Sequence, residues 1–386
     1  MKICILTPRF PFPENGGDVL RINNIARYLK SKGHNLILVS YDSKRADFYE
    51  CSKLYDKLFC IKRNKLVSLF NSVLFLFLHK PIQCGYYYSR QYLRLLKKVI
   101  RQESPDLFIS HLLRMVPYLE KLDLNKKSII EMTDALSKTY SLSTTSNTKS
   151  WKKHIYRIEK RLIQQYEKRA IDNFSKVVLV SENDIRYLNE LSNSISNNIV
   201  CYTNGVKCFD KISSNYSKKI SFVGNMRTLQ NQDAVIHFIN DILPLIKEKF
   251  PEIIFEIVGA EPPENIIKFA SKTIKVTGFV DSVEDVIKDS CLVVAPVQIA
   301  AGIQNKVLIA MACRIPVVLT SLISKAIPEL RDMENCLIKD SSRDFADACV
   351  KLIEEDTFRN KIAENGYKLV QENYSWNAKL EGYEII

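Results

Sequence analysis

The chain has little of what would make it a disulfide scaffold, a metal centre or a membrane span. Its ten cysteines include no CxxC pair, and only five histidines are scattered along 386 residues. Disulfide frameworks belong to small secreted domains, so Cys4, Cys201, Cys291 and Cys313, each inside an apolar run, read as reduced core residues. The same spacings offer no structural zinc site, and no metal is expected. The N-terminus MKICILTPRF lacks the long apolar segment of a signal peptide, which points to the cytoplasm. Both the GxGxxG fingerprint and the GxxxxGK[ST] loop are missing, which argues against a nicotinamide dehydrogenase and a P-loop ATPase. No RNP-type, helix-turn-helix or zinc motif supports nucleic-acid binding. No cofactor and no nucleic-acid partner are expected.

Long apolar runs are also lacking. The longest, Leu66 to Leu78, is LVSLFNSVLFLFL, interrupted by Ser68, Asn71 and Ser72. A helix that crosses a bilayer needs about 20 residues. With Lys62, Arg63 and Lys65 before it and His79 and Lys80 after it, the stretch 62–80 fits two readings. One is a helix lying in the interface of an anionic membrane; the other is a buried or partly buried helix of the N-terminal domain.

At 386 residues the default is two domains. The net charge of +13 is unevenly spread: residues 1–210 carry 35 Lys/Arg against 19 Asp/Glu, the remainder 21 against 24. A basic half can face nucleic acid, an anionic leaflet or an acidic glycan. Short β-branched runs alternate with amphipathic segments throughout, which predicts an α/β protein of parallel sheets wrapped by helices. Seven strands are expected in the first half, from Ile3–Thr7 to Ile199–Tyr202, and five in the second, from Ile220–Val223 to Pro316–Leu319. Helical periodicity is clearest at Val19–Lys32, Tyr92–Arg101, His154–Asn173, Asp233–Lys249 and Arg343–Glu354. The polar segment from Asn204 to Tyr216 is the best linker. It separates two doubly wound domains, 1–206 and 207–370, with a C-terminal helix in 371–386 crossing back to the first. Ligands of such sheets bind outside the carboxyl ends of the strands, and with two domains the expected site is the cleft between them.

Residues 302–320, GIQNKVLIAMACRIPVVLT, are the most informative block. Gly302 permits a tight turn before a helix whose free N–H groups carry about half a positive charge. That is an anion site, and Lys306 adds a full charge one turn in. Small residues Ala310, Ala312 and Cys313 let the helix lie close to a sheet, and Pro316 starts the next strand. Strand, loop, helix and strand in this order ask for a diphosphate-bearing ligand. In the first half, Gly16–Gly17 opens the first helix, His111 ends the strand LFIS, and Asp134 follows the strand SIIE. All are placed at strand ends.

Gly16–Gly17 in this context, the GIQNKVL…AMA…PVV block and FVGNMRTLQNQDAVIHF together resemble a family 4 retaining glycosyltransferase with the GT-B fold. Segments Asp134–Ser137, Val180–Glu182 and Tyr374–Trp376 add to the likeness, which covers essentially the whole chain. More narrowly, the chain resembles the sugar transferases found with PEP-CTERM/exosortase exopolysaccharide systems. The resemblance implies two Rossmann-like domains facing a deep inter-domain cleft. It also implies metal-free transfer of a sugar, with retention, from a nucleotide-sugar donor to a glycan or lipid-linked acceptor, at the inner face of the membrane. Arg227 and Lys306 would neutralise the donor diphosphate, with the amides of Gly302, Ile303 and Gln304 and the neighbouring Asn305 on its oxygens. Gly16 and Gly17 would lie beneath the donor sugar, and His111 and Asp134 would position sugar or acceptor.

Two positions depart from the family. The Glu that usually holds the ribose hydroxyls from within LEAMA is Ile309 here, and the earlier Glu of the E-x7-E pattern falls at Ala301. A charge-assisted hydrogen bond contributes ~1.5–3 kcal/mol, so the missing ribose contact weakens donor binding roughly 10- to 150-fold. The alternative is therefore a degenerate, non-catalytic GT-B protein that binds a glycan or a partner enzyme.

Overall fold

The computed structural model describes residues 1–14, 16–42, 46–145, 150–192, 197–209, 217–299 and 304–385. They form two compact units, Met1–Asn204 with Lys379–Ile386, and Gly205–Ala378. The division expected after residue 206 thus falls at 204/205, and the returning segment starts at Lys379 rather than at 371. Residues 371–378 stay with the second unit because Tyr374 donates to Glu329 at 2.6 Å and Ser375 bridges to Val206. The segment is not one helix: a helix ends at Asn373, and a short one follows at Trp376–Lys379.

The first unit is built on β1 (Lys2–Thr7), β2 (Asn35–Tyr41), β3 (Lys57–Ile61), β4 (Leu107–His111), β5 (Ser128–Thr133), β6 (Lys176–Leu179) and β7 (Ile199–Cys201). They make one parallel sheet in the order β3-β2-β1-β4-β5-β6-β7. Central strands such as β1 are apolar on both faces, as a sheet covered by helices on both sides requires. Helix α1 (Gly17–Ser31) follows β1 and buries Ile22, Ile25, Ala26 and Leu29.

One buried residue of α1 is charged. The Arg21 guanidinium donates to both carboxylate oxygens of Glu131 on β5, at 2.8 and 3.2 Å, and to Asn204 Oδ1 at 2.9 Å. Tyr383 donates its hydroxyl to the same carboxylate at 2.9 Å, which ties the last residues of the chain to this unit.

Helix α2 (Lys65–Phe77) packs on α3 (Ile82–Tyr87), which leads into α4 (Arg90–Glu103). The polarity of α2 is inverted. Ser68, Ser72 and Phe75 face inward, with Asn71 donating to the Tyr88 carbonyl at 2.8 Å. Leu66, Leu69, Phe70, Val73 and Phe77 are exposed, Phe70 at 70% and Phe77 at 75%. Of the two readings for 66–78, the partly buried helix of the N-terminal domain is present: it packs through its serine stripe and Phe75 and leaves its apolar face outward. No helix among the described residues is long and apolar enough to cross a membrane.

The second unit carries β8 (Ser217–Val223), β9 (Ile254–Val258), β10 (Ile274–Gly278), β11 (Ser290–Ala295), β12 (Val317–Leu319) and β13 (Leu337–Ile338), all parallel, in the order β10-β9-β8-β11-β12-β13. Helix α5 (Leu229–His237) follows β8, and α6 (Asn305–Ala312) lies between β11 and β12. The single helix expected over Asp233–Lys249 is interrupted by a π-turn at Phe238–Ile242 and resumes at Leu243–Lys247. Pro244 explains the break, since it has no N–H to give to residue 240 and its ring crowds that carbonyl.

Replacing Arg21 by Met leaves the Glu131 carboxylate buried without its cation, which costs about 3–5 kcal/mol. Calorimetry of the Arg21→Met protein is expected to show the first unit melting well below its original temperature. An unchanged thermogram would show the pair to be dispensable.

Candidate functional site

In each sheet the chain direction of travel reverses between adjacent strands, β1/β4 in the first unit and β8/β11 in the second. Open parallel sheets bind ligands at the carboxyl ends of strands beside such a switch point. The polar residues of interest gather there in both units.

In the first unit a cavity of about 410 Å³ is lined by Gly17 and Asp18 after β1, Leu112 to Arg114 after β4, and Thr133 and Asp134 around the end of β5. Gly16 caps α1 with φ 116°, a conformation L side chains rarely adopt, and Arg9 pairs with Asp18 beside it. Leu112 and Thr133 hold φ values of 68° and 71° without being glycine, and such strained backbone gathers at functional sites. The carboxyl of Asp134 is pushed up by burial and by Asp184, against Arg21 and Lys138. His111 lies buried at the end of β4, off the cavity lining, and neither ring nitrogen has a hydrogen-bond partner. Burial, with Arg21, Arg9 and Arg114 outweighing Asp18, pushes its pKa down to about 3, so the ring is neutral at physiological pH.

In the second unit Lys306 sits in the first turn of α6 and is 7% exposed. Its Nζ donates to Asn231 Oδ1 at 2.5 Å and stands 4.4 Å from the centroid of Phe222. No carboxylate pairs with it among the described residues. Burial pushes its pKa from 10.5 to about 8. Asn231 is itself fixed, donating through Nδ2 to the Asn225 carbonyl at 2.8 Å. Gly224 makes room for it, since a Cβ there would stand 2.7 Å from the Asn231 side chain. The Asn225 side chain in turn accepts from the Arg227 N–H at 3.0 Å. Lys306 and Arg227 therefore share one hydrogen-bonded frame at the ends of β8 and β11. The Arg227 guanidinium is exposed and paired with Glu261. Gln304 and Asn305 form the N-terminus of α6. Gly302, Ile303 and Ala301 lie outside the described residues. Ile309 is half-buried and packs on the hydrophobic core, so an apolar contact occupies that position.

Residues 217–355 match the family described as glycosyl transferases group 1. That span takes in the Lys306 frame. An uncharacterised 44.6 kDa protein in the cps region of Klebsiella pneumoniae is 25% identical over 97% of this chain and 96% of its own length. Among solved structures, a glycosyltransferase from Rickettsia africae aligns over 99% of this chain and 96% of its own, with a TM-score of 0.58 at 17% identity. Anabaena HepE in complex with UDP aligns over 99% and 98%, with a TM-score of 0.55 at 13% identity. The fold is that of GT-B proteins, two Rossmann-like α/β domains with parallel sheets. With the family match over 217–355, it supports a group 1 glycosyltransferase.

Sequence reasoning missed Asn231, Asn225 and the Arg21–Glu131 pair. Arg21 and Glu131 had a signal, each being a lone charge within an apolar stripe or strand, SIIEMT in the case of β5. Asn231 had none, because nothing in its neighbours marks which amide will meet a lysine 75 positions away. Among the described residues no group of three or more His, Cys, Asp or Glu is placed to hold a metal ion.

A depressed lysine pKa has a stability signature. Below about pH 8 the folded protein holds a buried ammonium, a cost that fades between pH 8 and 10.5, where only the unfolded chain keeps the proton. Without nucleotide, Lys306→Met is expected to stabilise the second unit at pH 7 by on the order of 1–3 kcal/mol. The gain is expected to shrink towards zero near pH 10.5 in thermal melts. A gain that persists unchanged at high pH would point to better packing instead.

Proposed function

We propose that the protein is a family 4 glycosyltransferase. It moves a sugar, with retention, from a nucleotide-sugar to a glycan or lipid-linked acceptor in surface or exopolysaccharide assembly, at the cytoplasmic face of the membrane. The observation that carries the proposal is the buried, uncancelled charge of Lys306 at the N-terminus of α6. Among the described residues this ammonium has an amide oxygen and a ring face for company and no carboxylate, so it is poised for an anion, and a donor diphosphate supplies one. Positive charge fixed there helps most as the leaving diphosphate gains charge in the transition state. Gln304 and Asn305 open the same helix, and Arg227 joins the frame through its backbone N–H.

The finer parts of the proposal have separate supports. The Anabaena structure holds UDP, which favours a nucleotide-sugar donor. The Klebsiella relative lies in a cps region, which favours polysaccharide assembly. Retention, and the narrower likeness to PEP-CTERM/exosortase-associated transferases, rest on the sequence motifs. In the first unit the carboxyl of Asp134 lines the cavity and suits sugar hydroxyls, whereas His111 lies buried off that lining. Ile309 favours a second reading, a GT-B protein that binds without turning over, because no carboxylate at that position holds a ribose.

Thermal melts with UDP, GDP and ADP test the donor site. At least one nucleotide is expected to raise the melting temperature at millimolar concentration, and Lys306→Ala is expected to remove the shift. Affinity is expected to fall as pH climbs above about 8, because the free protein must then take up a proton to bind. The proposal fails if no nucleotide shifts the melt. Ile309→Glu separates the two readings: an active transferase gains donor affinity, roughly 10-fold or more, together with faster donor hydrolysis. A protein that binds only gains no hydrolysis.

A further inference from the structure

We propose that the first unit docks on an anionic lipid bilayer through the outward face of α2, which gives the lipid-linked-acceptor reading a physical anchor. Leu66, Leu69, Phe70, Val73 and Phe77 recur at helical spacing and all point to solvent. The opposite stripe, Ser68, Ser72 and Phe75, is the one that packs. Gly85 of α3 makes that seat close, since a Cβ there would stand 2.9 Å from the Phe75 side chain. The apolar stripe is therefore held outward by a fitted contact on its other side. Thirteen residues make a helix about 20 Å long, too short to span about 30 Å of hydrocarbon but suited to lying flat at its boundary.

Charge selects the occupant. From Lys57 to Gln102 the chain has ten Lys or Arg and no Asp or Glu. The run brackets α2 with Lys62 and Lys65, both exposed, and continues through α4, where Arg94, Lys97, Lys98 and Arg101 line one surface depression. Arg63 stacks on Tyr86 and Tyr87, 4.6 and 4.9 Å from the ring centroids, and tyrosines with cations are interfacial anchors. A symmetric contact between two copies would set these cations against their own kind, which is costly. An anionic leaflet meets both halves of the surface at once, with hydrocarbon for the stripe and headgroups for the cations.

The test uses the full chain sedimented with vesicles of phosphatidylcholine alone or mixed with phosphatidylglycerol. Binding is expected to the mixed vesicles, weakly or not at all to the neutral ones, and to fall with added salt. Phe70→Ser with Phe77→Ser changes two exposed rings, so the melting temperature stays put while partition falls about 10-fold or more. Lys62→Gln with Lys65→Gln is expected to weaken binding about 25-fold, about 5-fold for each charge. The proposal is overturned if the mixed vesicles are not bound, or if the serine variant binds them as well as the original. It is also overturned if the chain is a dimer that the serine variant dissolves, since a second copy would then be the occupant. Vesicle binding is read without nucleotide and the donor-site melts without lipid, so either can fail alone.

Discussion

Everything the first unit presents at its strand ends is aligned by the contact between Arg21 and Glu131. The pair joins α1, whose first residues line the cavity, to β5, whose end carries Asp134. It also reaches Asn204, where the unit ends, and Tyr383, which brings the tail home. An apolar pair of the same volume could pack as stably, since desolvation offsets much of the attraction between buried charges. What such a pair could not do is fix direction. Two parallel N–H···O bonds set the angle of the guanidinium against the carboxylate, and with it the placement of Gly17 and Asp18 over the end of the sheet.

Lys306 is the opposite case, and a neighbour in the same unit shows why the difference matters. Lys219 is also buried, but Glu256 and Asp289 meet it at 2.8 and 2.5 Å, and its pKa is raised. That lysine is neutralised from within and serves the fold. The Lys306 ammonium is held by an amide oxygen and an aromatic face, groups that orient a cation without cancelling it. His111 faces a similar loss of water and stays neutral instead. Of these two buried groups, the lysine keeps its charge at neutral pH and the histidine does not.

Much of this was legible in the residues, and the failures follow from what periodicity can register. All twelve expected strands are present, because buried parallel strands are continuous apolar runs. The thirteenth, Leu337–Ile338, has two residues and no period to detect. The helix over Asp233–Lys249 kept its apolar spacing through a π-turn, so only Pro244 marked the break. Residues 66–78 could be read as interface or core because hydrophobicity alone does not say which face packs; Ser68, Asn71 and Ser72 answered that only once α3 was placed beside them. The position of Lys306 in a first helical turn was readable, but its burial was not, since the amide that shelters it is remote in sequence. Arg227 could be placed on a strand-end loop, while its pairing with Glu261 depends on a loop after another strand.

The missing ribose carboxylate can now be weighed against the lysine. Ile309 packs on the core at no evident cost to the fold, so on the proposed reading it removes one donor contact and nothing else. Lys306 is different, because burying an ammonium without a counter-charge works against folding. A chain with no anion to bind gains stability by exchanging that residue for any apolar one of similar length, and such exchanges are easy to reach. Asn231 would then have no reason to turn its oxygen inward, nor Gly224 to leave room for it. The lysine, the amide that aims it and the glycine that admits the amide are all in place. On the proposed reading, an anionic donor offsets the standing cost of this arrangement, and Ile309 lowers how tightly that donor is held.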